Sequence, residues 1–270
     1  MSLALAPGPG CDRSLPAPPA REERGVDSPA DRAALRKLFD DAAACGDRYH
    51  CPPLDALRAR AEKPGELSVL RMAFDLMVDP KLETSDRLFR MAFAVAEAWT
   101  AARQANAKPL STADERELRA QVMRLLARGD NSVPGQSLAA HLSDARQILE
   151  REALDPRRGN DEFHASIRIL RDLERDLSTV QTWLAAKEPR PQLAAALLLD
   201  AMDHATIAAG DEAALLLAYA RRADSDPEAA RLVAQHAVQH ADPTFAPVLA
   251  AFAHHADPAV RAAAAPRGHE

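Results

Sequence analysis

From Ser28 onward, apolar residues recur at spacings of three and four, in stretches of roughly 10–20 residues broken by Pro, Gly and Asp. The clearest stretch is "ETSDRLFRMAFAVAEAWTAARQ". There Leu88, Phe89, Ala92, Phe93, Ala96, Trp99 and Thr100 form one broad stripe, while Glu97 falls off it. β-branched runs are nearly absent, and Ala and Leu, the strongest helix formers, carry the apolar share. The pattern predicts an all-α protein. Ser28 is placed to cap a first helix that has Pro29 at its first position. Ser111, three residues before Asp114, gives a similar box-like start. Gly129 and Gly159 read as helix exits. Asn160 to Glu188 reads as one long amphipathic helix lying across the others. Its Leu170, Leu173, Leu177, Val180 and Leu184 have coiled-coil spacing, but over only about two heptads.

Towards the C-terminus the pattern repeats. Asp226-Pro227 and Asp257-Pro258 lie 31 residues apart, as do Asp211 and Asp242. Between them the order is helix, break, helix, break, with Asp able to cap and Pro able to open each first helix. Pro247 marks where the helix after Asp242 starts. Such short helix pairs cannot bury their apolar faces alone and must stack on a neighbour. The stretch "DPEAARLVAQHAVQHADPTFAPVLAAFAHHADPAVRAAAA" resembles the HEAT-repeat family, in its short bacterial, phycobilisome-lyase-like branch. "GDEAALLLAYARRADS" resembles a preceding second helix and "PQLAAALLLDAMDHA" its first. Ala229 and Ala230 depart from the usual Val-Arg, which Val260 and Arg261 supply one unit later. "ADPAVRAAAA" looks like the first helix of a further unit, an imperfect cap that either frays or offers a docking edge to another chain.

The resulting expectation is a HEAT-like α-solenoid in the C-terminal half, stacked on an irregular helical N-terminal half. Its regions are a Pro-rich disordered tail or tether (1–29), a helical repeat-like region (30–159), the long helix (160–188), the HEAT-like repeats (189–265) and a short tail (266–270).

Composition narrows the function. Of the 270 residues, 27% are charged and the formal net charge is −6, without a Lys/Arg block, so a nucleic-acid footprint is lacking. No run approaches the roughly 20 apolar residues of a membrane helix. There is no phosphate loop, nucleophile elbow or dinucleotide fingerprint. No catalytic residue and no cofactor are expected.

The three cysteines leave alternatives open. Cys45 and Cys51 flank "GDRYH" and are candidates for a disulfide across a short turn, or two free thiols. A metal knuckle from Cys45, His50, Cys51 and Asp47 lacks a second ligand pair. Cys11 follows "MSLALAPGPG", which weakly resembles a truncated bacterial lipoprotein signal with Cys11 as the lipidated residue. The chain is then either a tethered cell-envelope protein or a cytoplasmic one with a disordered tail. His236 and His240, four apart on one helical face, are weak metal candidates, and His254-His255 should lie at the other end of the hairpin. Arg231, Phe245, Phe252 and Arg261 are expected at exposed or groove-edge positions. The resemblance implies a non-enzymatic scaffold binding a protein partner. The alternative it permits is a repeat enzyme or lyase subunit acting on a protein or bound chromophore.

Overall fold

The computed structural model describes residues 28–45, 51–105, 108–129, 132–174, 176–202, 207–240 and 242–265. Among them every regular element is helical. The first seven helices are α1 (Pro29–Ala44), α2 (Pro52–Ala61), α3 (Ser68–Met77), α4 (Arg87–Arg103), α5 (Thr112–Ala127), α6 (Val133–Ala139) and α7 (Ala145–Leu154). The next seven are α8 (Asn160–Leu173), α9 (Ser178–Leu184), α10 (Pro189–Ala201), α11 (Ala209–Ala220), α12 (Pro227–Gln239), α13 (Ala246–Phe252) and α14 (Pro258–Ala263). The disordered tail expected over 1–29 lies outside the described residues except for its last two, and the 266–270 tail lies wholly outside.

The helix starts follow local chemistry. The Ser28 and Ser111 hydroxyls accept from the backbone N–H of Asp31 and Asp114, opening α1 and α5. The Asp226 and Asp257 carboxylates accept from the N–H of Ala229 and Ala259, opening α12 and α14 with Pro in the first turn. Asp242 caps a 3-10 turn, Pro243–Phe245, before α13 takes over at Ala246. Gly129 ends α5 with φ +87°, the left-handed geometry that suits glycine. Gly159 departs from expectation: it precedes α8 in extended backbone, while α7 has already ended at Leu154.

The expected single helix over 160–188 is two helices. After Leu173 the chain turns extended at Glu174 (ψ 142°) and restarts at Ser178, whose N–H donates to Asp176. A buried polar contact accounts for the turn. Glu174 Oε1 accepts from Thr179 Oγ1 at 2.9 Å and lies 3.0 Å from Arg146 Nε on α7. A straight helix would carry Thr179 away from Glu174, and the buried carboxylate would lose that bond. The break also turns α9 back onto α10.

Sequence neighbours pack as pairs: α1 with α2, α3 with α4, α5 with α6, α7 with α8 and α9 with α10. The even-numbered helices also contact one another in order, α2 to α4, α4 to α6, and so on through α8, α10 and α12 to α14. The odd-numbered α1, α3 and α5 touch in sequence, as do α11 and α13. The front half, where the sequence shows no clean 31-residue period, thus has the same even-helix order as the back half. Two apolar cores run along this series. They divide inside α7, between Ile148 and Leu149.

Candidate metal centre

Helix α11 opens with Asp211 and Glu212, and α12 closes with His236 followed by His240 at its C-cap. Acidic groups at a helix N-terminus and imidazoles at a C-terminus both complement the helix dipole. Packing α11 on α12 brings these two ends together. Glu212 Oε1 lies 2.6 Å from His236 Nε2 and 3.8 Å from His240 Nε2, and the two imidazole Nε2 atoms are 3.1 Å apart. The Glu212 and His236 side chains are almost fully buried, whereas His240 is about a quarter exposed (26%). On its far side, His236 Nδ1 faces Asp200 Oδ1 of α10 at 3.9 Å. Phe245 stacks on the His240 ring, with centroids 4.6 Å apart and planes within 12°.

Three Lewis-basic atoms therefore converge on one point. A hydrogen on His236 Nε2 has two acceptors within reach, Glu212 Oε1 and His240 Nε2, and a cation could replace it with all three as ligands. Sequence reading found the His236–His240 pair but not Glu212, because that residue sits 24 positions upstream and is brought in only by helix packing. As expected, the other histidine pair stays away. His255 Nδ1 accepts from Asp257 N–H, and its Nε2 lies 3.1 Å from Ser225 Oγ, beside the start of α12. His254 is exposed.

The groove-edge expectation needs correction at both aromatics. Phe245 is 1% exposed because it lies under His240, and Phe252 is fully buried on α13, which packs between α11 and α12. Arg231 is half-buried and bonded to Gln235 along its own helix. Arg261 is exposed, and its guanidinium donates to the carbonyls of His255 and Ala256.

The sulfur atoms of Cys45 and Cys51 are joined, linking the C-cap of α1 to the N-cap of α2. Cys51 is buried and Pro52 and Pro53 follow it into the helix. His50, Asp47 and Cys11 lie outside the described residues. Glu97 is exposed as its helical position implied, although partial burial still raises its carboxyl above the usual range.

Sequence reading missed a ladder of arginines. Arg128 donates to the carbonyls of Met77 (2.6 Å), Asp79 (3.0 Å) and Leu82 (2.7 Å), beyond the end of α3. Arg158 donates to Leu126 at 2.8 Å and Gly129 at 3.4 Å, closing α5. Arg190 reaches Ala153 at 2.8 Å at the end of α7, and Arg222 reaches Leu184 and Ala186 at the end of α9. Each guanidinium donates to carbonyls at or just past the C-terminal end of a helix, the negative end of its dipole. The four arginines are spaced by 30, 32 and 32 residues, so the period is present in the sequence but is carried by a residue type that is abundant elsewhere.

No family model, curated protein or solved structure matches this chain. Among the described residues, no helix is long and apolar enough to cross a membrane.

Proposed function

We propose that the chain is a helical-repeat scaffold of the HEAT kind, an α-solenoid that holds a protein partner along its grooved surface without turning it over. The observation that supports this reading best is the unbroken order of contacts through the even-numbered helices from α2 to α14. Stacked hairpins of this sort offer extended grooves rather than one enclosed chamber. One such groove runs between α1, α3 and α5, a cleft of about 350 Å³ lined by Arg32, Leu35, Arg71, Met72, Asp75 and Arg124 among others. Its arginines are already oriented by carboxylates: Arg32 and Arg124 both pair with Asp75, and Arg71 pairs with Glu117 through two 2.9 Å bonds. An oriented, solvent-facing guanidinium row suits the backbone carbonyls and acidic side chains of an extended segment. The joined Cys45 and Cys51 favour an oxidising compartment, the setting in which a lipid on Cys11 would tether the scaffold.

The test is crosslinking in the native cells, followed by mass spectrometry of the purified adduct. A discrete protein partner should attach through the α1–α3–α5 face. The double variant Arg71→Glu, Arg124→Glu should weaken capture at least tenfold while leaving the helical circular dichroism unchanged. A wild-type chain recovered alone after efficient crosslinking, or a partner indifferent to both substitutions, would sink the reading. The mass of the same preparation, before and after reduction, reports whether Cys45 and Cys51 are joined and whether Cys11 carries a lipid.

A further inference from the structure

We propose that Glu212, His236 and His240 form a site for one divalent first-row metal ion, Zn²⁺ by its donor chemistry, which clamps α11 to α12. The three ligand atoms lie within 4.8 Å of one another, with separations of 2.6, 3.1 and 3.8 Å. Those separations leave a point about 2 Å from all three atoms, just off their plane, which is the length of Zn–N and Zn–O bonds. Two imidazoles and one carboxylate are borderline donors. They select Zn²⁺ or Co²⁺ over Mg²⁺ or Ca²⁺, which take shells of oxygen.

The surroundings match what such a ligand set requires. Asp200 stands 3.9 Å from Nδ1 of His236, on the side from which a carboxylate fixes the tautomer and orientation of a ligating imidazole. Phe245 lies flat against His240 and limits its ring rotation. Two of the three ligands are almost fully buried, so the cation would be shielded on the core side and, among the described residues, reachable past the partly exposed His240. Burying carboxylate and imidazoles this deeply in an apolar core is costly unless they are neutralised and bonded, and a divalent ion supplies both. The ion would also join α11 to α12 at this end.

The experiment uses the full chain, produced without a histidine tag, stripped with chelator and titrated with Zn²⁺ against a colorimetric competitor. One Zn²⁺ per chain should bind, and Co²⁺ in its place should give the intense visible bands of a low-coordinate site. His240→Gln removes only the partly exposed ligand, so the fold should persist by circular dichroism while affinity falls about 100-fold. Asp200→Asn should weaken binding by about tenfold, the low end of outer-shell effects. His254→Gln, at an exposed residue of the distant pair, should leave affinity within about twofold. Saturating Zn²⁺ should raise the Tm of the wild type and not that of His240→Gln. A folded wild-type chain that takes up no stoichiometric Zn²⁺ or Co²⁺ overturns the proposal. So does binding that survives His240→Gln or disappears with His254→Gln.

Discussion

The two halves of the molecule fill their interiors with different material. The front core, α1 to the start of α7, is built on large side chains: Phe39, Phe74, Phe89, Trp99, Met72, Met77 and many leucines, with alanine supplying six of the 27 buried apolar residues described. In the back core, alanine supplies 11 of 28, including Ala194, Ala195, Ala196, Ala229, Ala230, Ala234 and Ala237. Large side chains hold helices apart and gain by removing area from water, about 25 cal/mol per Å². Alanines let the backbones of α10 and α12 come close, and each contributes little area of its own. The back half also carries a buried polar tie. Gln192 accepts from Tyr219 Oη at 2.8 Å and from Asp226 N–H at 2.7 Å, and its amide donates to the carbonyls of Ala186 and Asp224. One buried amide thereby locks α10, α11 and the start of α12, and burial pushes the Tyr219 hydroxyl well above the ordinary tyrosine range. The same order of contacts through the even-numbered helices occurs with either kind of filling.

That contrast can be broken in three ways. Truncation should hurt most in front: Phe74→Ala removes a fully buried ring and should cost about 3–5 kcal/mol in urea unfolding. Enlargement should hurt in back: Ala230→Leu, at a fully buried position on α12, should cost about 1–3 kcal/mol through forced separation of close helices. If Ala230→Leu proves neutral or stabilising, the back core is underpacked rather than close-packed and the comparison fails. The smallest of the three should be Arg190→Met, at about 1–2 kcal/mol, since it keeps the apolar stem but uncovers the end of α7. Because α7 is where the two cores meet, that loss should appear in probes of both halves. A change confined to one half would show that the ladder does not couple them.

What could be read from the sequence followed from how local each signal is. The caps at Ser28, Ser111, Asp226 and Asp257 involve bonds within three residues, so residue type and position determine them. The break at Glu174 depends on Arg146, 28 positions away, and no local breaker announces it. The aromatics Phe245 and Phe252 were misplaced because helices rich in alanine look apolar on every side, leaving no contrast from which to assign a face. Of the candidate metal centre, the histidine pair was legible at i and i+4. Its carboxylate ligand and the orienting Asp200 come from two other helices, and only the packing reveals them.

The arginine ladder has a direction, and this bears on the order in which the molecule can be finished during synthesis. Arg158 belongs to the hairpin after the helix it closes, and so do Arg190 and Arg222. A ribosome therefore releases the ends of α5, α7 and α9 before their closing arginines have left the tunnel. The end of α7 is complete at Leu154, yet Arg190 leaves the tunnel only after 36 further residues. At about 5–20 residues per second, that interval is roughly 2–7 s. During it the last carbonyls of α7 face solvent, and a nascent hairpin stays open to the chaperones and partners that meet it there.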